Sequence, residues 1–282
     1  MMRTTRLRHE INHAAEVLAE AGVASPRGDA EELAAHAAGT SRSRLALLDA
    51  PDDEFFYRYA ELVAARSRRI PLQHLTGTVA FGPVTLNVGP GVFIPRPETE
   101  SLLDWAMHQT MPAEPTVVDL CTGSGALAVA LATRWPDARI IAVDNSVDAL
   151  EYARRNSACA NIELCRADVT DVGLRPDLNG MVDLVVANPP YLPDGAPLQR
   201  EVAEHDPRSA LFGGPDGMAI IAPIVQLARR WLRPRGCFAV EHDDTASRAT
   251  VQLLSAAGVF VDITPRDDLV GRPRFVTARR AE

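Results

Sequence analysis

From residue 116 to the C-terminus, short apolar stretches alternate with helical ones, and this alternation restricts the possible folds more than any other feature. Residues 116–119, 139–143, 162–165, 182–187, 237–241 and 259–264 read as strands, with 275–278 a further candidate. Between them, residues 126–134 have helical character and Ser146 suits the cap of the next helix. A helix carrying Ile224, Leu227, Ala228 and Trp231 must end before Pro234, and residues 245–257 form another. Strands joined by helices need crossover connections. The expectation is an α/β fold with a mostly parallel sheet covered by helices on both faces.

The first part of the chain differs. Residues 29–38 are helix-friendly and stop at Gly39, a natural C′ residue. Between residues 53 and 68, Phe56, Tyr59, Leu62 and Val63 recur at helical spacing. Over residues 70–95, glycines punctuate short β-branched stretches, with a turn at Phe81-Gly82-Pro83. A helix is then expected from Pro97 as its N1 residue, with Glu98 and Glu100 in the first turn. The expected organisation is a helical domain over 1–69, a β-hairpin linker over 70–95 and an α/β domain over 96–282.

Composition removes several chemistries. All 29 basic residues are Arg, so no Schiff-base lysine and no Walker A lysine exists. With 37 acidic residues the net charge is −8, which argues against a nucleic-acid substrate. No apolar run approaches the roughly 18 residues of a membrane span. The four cysteines show no CxxC pairing, which disfavours zinc and disulfide frameworks and suits reduced thiols in the cytoplasm.

The first strand of the α/β region runs into Asp119-Leu120-Cys121-Thr122-Gly123-Ser124-Gly125. Small residues here let the backbone turn sharply before a helix N-terminus, where free N–H groups and positive potential collect. Gly123, Gly125 and Ala128 also satisfy the dinucleotide fingerprint, so a nicotinamide cofactor is a rival ligand. Asp144 ends the next strand, about 20 residues on, where a carboxylate accepts ribose hydroxyls. Asp119 suits a cationic ligand better than a pyrophosphate and favours S-adenosylmethionine, although an Asp here can instead cap loop amides. Asp168, after the third strand, is placed to hold an adenine amino group or to stand as an exposed loop residue.

Asn188-Pro189-Pro190-Tyr191 follows the most apolar strand. Two prolines end the strand, which puts Asn188 at the carboxyl edge of the sheet, where open α/β sheets bind ligands. The Asn188 and Pro189 carbonyls together can accept both hydrogens of an NH2 group, with Tyr191 as a flat face against a planar substrate. An amide or aromatic amine nitrogen is a poor nucleophile. Fixing its N–H bonds turns the lone pair towards a sulfonium methyl, so orientation and preset dipoles carry the catalysis.

The segment Pro95-Arg96-Pro97-Glu98-Thr99-Glu100, the loop DLCTGSGALA and Asn188-Pro189-Pro190-Tyr191 together resemble the release factor glutamine methyltransferases (the PrmC/HemK family). The resemblance extends upstream to Ala21-Gly22, Ser25-Pro26-Arg27 and the stretch from Pro71 to Gly77. Downstream it takes in Asp206-Pro207, Ala210-Leu211, Gly213-Gly214-Pro215-Asp216-Gly217 and Glu241-His242. It implies a class I, Rossmann-like, seven-stranded adenosylmethionine-dependent methyltransferase domain, with the helical domain docking the substrate. It also implies methyl transfer to the side-chain amide nitrogen (N5) of the glutamine in the Gly-Gly-Gln tip of peptide-chain release factors. By the same resemblance, Asn188, Pro189, Pro190 and Tyr191 bind the glutamine and Phe93 helps enclose it. Asp119, Cys121, Thr122, Gly123, Ser124, Gly125, Asp144, Asp168, Val169 and Asn188 bind adenosylmethionine, and no metal is implied.

Three positions depart from the family pattern. Cys121 stands where Gly is common, which fits a residue that does not need positive φ. Val169 replaces a larger aromatic, and His74 a Tyr, with packing the expected role of His74. The alternatives are a DNA or RNA adenine N6-methyltransferase, which presents the same NH2 geometry, and a cofactor-binding scaffold without activity.

Overall fold

In the computed structural model the described residues are 3–48 and 51–282. Residues 1, 2, 49 and 50 of the expected helical domain lie outside them. The chain forms two compact units. One is the chain up to Thr78 together with Gln199–His205, and the other comprises Val79–Leu198 and Asp206–Glu282.

The first unit is built on α1 (Arg3–Glu20), α2 (Pro26–Ala37), α3 (Asp53–Ser67) and α4 (Leu72–Thr76). Leu7, Ile11, Ala14 and Leu18 recur every three or four residues on α1 and are buried against Leu33 and Ala34 of α2. Gly39 ends α2 at φ +61°, as expected. On α3 the inward face is Phe55, Tyr59 and Val63, while the expected Phe56 and Leu62 are only partly covered. Asp52 caps α3 by accepting from the Phe55 N–H at 2.9 Å. Arg66 of α3 pairs with buried Asp29 at 2.7 Å. Segment 70–76 is not β-structure: Leu72–Thr76 lacks a β-branched run before Thr76 and forms a helical turn stopped by Gly77 at φ +75°. The short helix α8 (Arg200–His205) belongs to this unit, with Glu201 bridging Arg66 at 3.0 Å and Arg69 at 2.7 Å. His74 meets the His205 ring edge-on at 6.1 Å between centroids, a packing role.

The second unit opens with the hairpin β1 (Thr78–Phe81) and β2 (Val84–Asn87), turning at Gly82 with φ +50°. Helix α5 runs Thr99–Met107. Pro97 is not its first residue: the chain makes successive turns, with Thr99 and Glu100 N–H donating to Arg96 and Pro97 carbonyls, before the helix begins. Then follow β3 (Thr116–Leu120), α6 (Ala126–Arg134), β4 (Arg139–Asp144), α7 (Val147–Asn156), β5 (Ile162–Arg166) and β6 (Val182–Ala187). After α8 come α9 (Ile221–Trp231), β7 (Leu232–Glu241), α10 (Ser247–Ala256), β8 (Phe260–Asp267) and β9 (Pro273–Arg280). The seven-stranded sheet has the order β5-β4-β3-β6-β7-β9-β8, and β9 runs against both its neighbours.

Strand alternation sorts the core into two layers. Val118, Leu120, Val143 and Val185 face Ile221, Ile224, Trp231 and Leu254 of α9 and α10. Val117, Ile140, Leu184 and Val186 face Leu102, Leu127 and Leu131 of α5 and α6. Strand β7 starts five residues earlier than the sequence indicates. Its pairing with β6 skips from Leu232 to Cys237, and Arg235 at φ +65° sits in the irregular stretch that accommodates Pro234.

Candidate active site

The register brings the expected site residues to one edge. Leu120 pairs with Val143 on one side and Ala187 on the other, and Ala187 pairs with Val240. The next residues along each strand are Cys121, Asp144, Asn188 and Glu241. Neighbouring strands lie about 4.8 Å apart, so the glycine loop and the Asn-Pro-Pro-Tyr loop leave the sheet side by side. From β3 the chain continues outward through β4 and β5, while β6 and β7 lie on the other side. This reversal of strand order is the crevice where open α/β sheets take ligands.

The glycine loop is held by its acids. Thr122 N–H donates to the Val143 carbonyl at 3.0 Å and Gly123 N–H to Asp144 Oδ2 at 2.8 Å. Asp144 Oδ1 accepts from Ser146 N–H at 2.9 Å. Asp119 Oδ2 accepts from the Thr122 hydroxyl at 2.5 Å and from Ala128 N–H at 3.1 Å, so it does cap the loop and the start of α6. Gly125, at φ +85°, lets α6 begin close to α7, since an added Cβ would sit 3.4 Å from Ala153 Cα. Cys121 adopts φ +59°, contrary to the expectation of an ordinary backbone there. A non-glycine residue in this region costs about 1–2 kcal/mol, and the short bonded turn around Thr122 imposes it.

Several observations fit a cationic ligand. Asp119 Oδ1 and Ser124 Oγ are buried and have no partner among the described residues. Burial raises the Asp119 carboxyl to about 7, aided by the charge of Asp144 and opposed by its Thr122 and Ala128 hydrogen bonds. Burial also raises Asp144, against the backbone N–H groups it accepts. Burial pushes the Cys121 thiol well up, and Asp144, Asp119 and Asp168 all add to that, so the three carboxylates converge on this loop. None of them is ion-paired among the described residues. A Cβ on Gly123 would meet nothing within 4 Å, so the loop faces open space. Such a site attracts a sulfonium and ammonium and repels a pyrophosphate.

Asp168 is exposed and its Oδ1 accepts from Thr170 N–H at 2.8 Å and the Thr170 hydroxyl at 2.7 Å, bonds that hold its carboxyl below the usual range. Val169 beside it is buried in the core. Asp144→Ala removes both a ligand acceptor and the Gly123 anchor. The expected result is adenosylmethionine affinity lower by about 10-fold or more by calorimetry, from a charge-assisted bond of roughly 1.5–3 kcal/mol; unchanged affinity would remove Asp144 from the donor site.

Asn188 is half-buried at the end of β6. Its Nδ2 donates to Thr99 Oγ1 at 3.0 Å, which leaves Oδ1 as the free arm of the amide. Tyr191 donates its hydroxyl to Glu241 Oε1 at 2.9 Å, and Arg274 Nη1 lies 3.5 Å from the same hydroxyl. Burial and the charge of Glu241 push the Tyr191 phenol well up, so it stays neutral. The loop is braced from behind: Leu192 N–H donates to the Leu211 carbonyl at 2.8 Å, Gly213 N–H to the Leu192 carbonyl at 2.9 Å and Asp194 N–H to the Gly214 carbonyl at 2.9 Å. Phe93 is half-buried with the Arg96 guanidinium 4.9 Å from its ring centre, and Arg96 pairs with buried Asp206.

The sequence gives no structural role to four contributors. Thr99 and Glu241 lie in stretches noted only for their resemblance, and Arg274 lies on the reversed strand. Asn156 of α7 ties the hairpin to the loop, accepting from Asn87 N–H at 2.7 Å and donating to the Ser124 carbonyl at 2.8 Å. No local signal marks an Asn on a helix as a bridge between two distant segments.

The reversed seventh strand, the glycine loop and the acid-rich carboxyl edge define a class I adenosylmethionine-dependent methyltransferase. The family models that match are the PrmC N-terminal domain over residues 11–77 and the methyltransferase small domain over residues 90–205. A protein of Mycobacterium tuberculosis named release factor glutamine methyltransferase is 63% identical over 278 residues, spanning 97% of this chain and 91% of its own. The Streptomyces coelicolor protein of the same name is 46% identical over 277 residues, spanning 96% and 97%. Among solved structures, a ribosomal protein L11 methylase from Lactobacillus delbrueckii subsp. bulgaricus matches with TM-score 0.49 and 21% identity, over 70% of this chain and 86% of that one. The chain belongs to the release factor glutamine methyltransferase family. Among the described residues no helix is long and apolar enough to cross a membrane.

Proposed function

We propose that this protein is a cytoplasmic enzyme that methylates the side-chain amide nitrogen of the glutamine in the Gly-Gly-Gln tip of peptide-chain release factors, with S-adenosylmethionine as donor. The observation that carries the reading is the placing of Asn188 one strand from the glycine loop, with its Nδ2 occupied by Thr99 and its carbonyl arm free. Adenosylmethionine, when bound, supplies a methyl group on a sulfonium. Cys121 to Gly125, with Asp119, Asp144, Asp168 and Val169, hold it by small residues and negative charge. Asn188 Oδ1 and the Pro189 carbonyl accept the two N–H bonds of the substrate amide, and Tyr191, Pro190 and Phe93 confine its plane. The nitrogen lone pair is thereby turned towards the methyl. The methylated nitrogen is strongly acidic, so it gives up one proton without a dedicated base.

An adenine amino group has the same two hydrogens, but the net charge of −8 favours a protein amide. Incubation with labelled donor and either an unmethylated release factor or unmethylated DNA separates the readings. Label on the release factor is expected; label on DNA alone would replace this reading with the adenine one, and label on neither would leave a binding scaffold.

A further inference from the structure

Glu241 is a buried acid outside the groups that hold donor and substrate. It ends β7, the strand beside Asn188, and the register fixes its backbone opposite Phe275 of β9. Only 1% of it is exposed, and its Oε2 has no hydrogen-bond partner among the described residues. Burying a carboxyl without full pairing works against stability, so packing alone does not account for an acid at this place. Its Oε1 accepts from the Tyr191 hydroxyl at 2.9 Å. Arg274 Nη1 lies 3.5 Å from the same hydroxyl, and Arg274 Nε faces the buried carboxyl of Asp268 at 3.8 Å. A hydroxyl carries one hydrogen and two lone pairs. The hydrogen goes to Glu241 and a lone pair is left for the guanidinium, so the phenol tip has one place and one direction. Conjugation keeps a phenolic O–H in the plane of its ring. The bond to Glu241 therefore sets the ring plane as well as the tip.

We propose that Glu241 is a positioning residue for the transfer: by accepting the Tyr191 hydroxyl it sets the plane of the ring that lies against the substrate amide. The inference rests on the function proposed above, which puts that ring against the glutamine. The root of the Tyr191 side chain is fixed separately, since Leu192 N–H is bonded to the Leu211 carbonyl at 2.8 Å and Gly213 packs against Tyr191 Cα. Two side-chain torsions separate root from tip, and the Glu241 bond removes the freedom they leave. Without that acceptor the ring turns, and the amide it confines turns with it. The nitrogen lone pair then leaves the line to the methyl. The donor loop keeps its own anchors at Val143, Asp144 and Asp119, none of which involves Glu241. The loss therefore falls on turnover and not on donor binding.

The test measures kcat and KM on a release factor at saturating donor, with donor affinity by calorimetry. The proteins are wild type, Glu241→Met, Glu241→Gln, Tyr191→Phe and the double variant Tyr191→Phe/Glu241→Met. Glu241→Met, close in volume but without an acceptor, is expected to lower kcat by about 10- to 100-fold, the scale of a misoriented reacting group. KM and donor affinity are expected within about threefold of wild type on the scale of that same misorientation. Glu241→Gln keeps an acceptor carbonyl and is expected to hold kcat within about threefold, on the same reasoning. Tyr191→Phe removes the same bond from its other end, so the double variant is expected to be no slower than the slower single one. Near-normal kcat in Glu241→Met, a Glu241→Gln as slow as Glu241→Met, or losses that multiply in the double variant would overturn the inference. A parallel loss of donor affinity would overturn it too, by making Glu241 part of the donor site. If Glu241→Met does not fold, Tyr191→Phe decides, and near-normal kcat there would equally overturn it. Wild type inactive on the release factor would instead overturn the functional reading, and this inference with it.

Discussion

Asn188→Ala is expected to lower kcat on a release factor by about 100-fold or more, while calorimetry shows adenosylmethionine affinity largely retained. The size follows from the role. An amide nitrogen has a delocalised lone pair, so the barrier depends on how its N–H bonds are held, and loss of one preset dipole at a reacting centre costs about 3–4 kcal/mol. The glycine loop keeps its own anchors in this variant, at Val143, Asp144 and Asp119, none of which involves Asn188. A separation of turnover from donor binding is thus built into the bonding pattern. Turnover equal to wild type would remove the proposed role of Asn188, and an equal loss of donor affinity would make it a cofactor residue rather than a substrate one.

Gly217→Ala is expected to reduce turnover by about 10- to 100-fold although the residue touches no ligand. Gly217 has φ +76°, and a Cβ there would collide with the Tyr191 carbonyl. Gly213 is as restricted, with an added Cβ 2.5 Å from the Pro190 carbonyl and 3.0 Å from Tyr191 Cα. Both neighbours are backbone, which cannot swing aside as a flexible side chain does. The substitution must therefore push the Asn-Pro-Pro-Tyr loop off its place, and displacement of about 1 Å at a reacting group costs on the order of 100-fold. Gly195→Ala is the control: φ is +81°, but an added Cβ meets nothing within 4 Å. It should lose only the backbone contribution, about 1–2 kcal/mol of stability, and keep its kcat. Equal turnover in Gly217→Ala and Gly195→Ala would show that the glycines do not brace the catalytic loop.

The α/β region was legible because its strands are short, apolar and bounded by turn residues. Val182–Ala187 lies between Gly180-Met181 and two prolines, and the observed strand has those limits. The glycine loop and Asn188 were legible because Gly and Pro leave the backbone few choices. What the sequence hid was pairing across distance. Nothing local shows that α8 belongs with the first unit, where Glu201 meets Arg66 and Arg69. Nothing local links Asn188 to Glu241 either; the register between β6 and β7, with Ala187 opposite Val240, sets them side by side at the carboxyl edge. Cys121 misled because residue size alone does not disclose φ; the bond from Thr122 N–H to the Val143 carbonyl sets it.

Peptide fragmentation mass spectrometry after incubation with adenosylmethionine and an unmethylated release factor locates the transferred methyl group. One methyl on the side-chain amide of the glutamine in the Gly-Gly-Gln tip is the predicted result. An unmodified glutamine, with the methyl on another residue or on an adenine supplied in DNA, would contradict it.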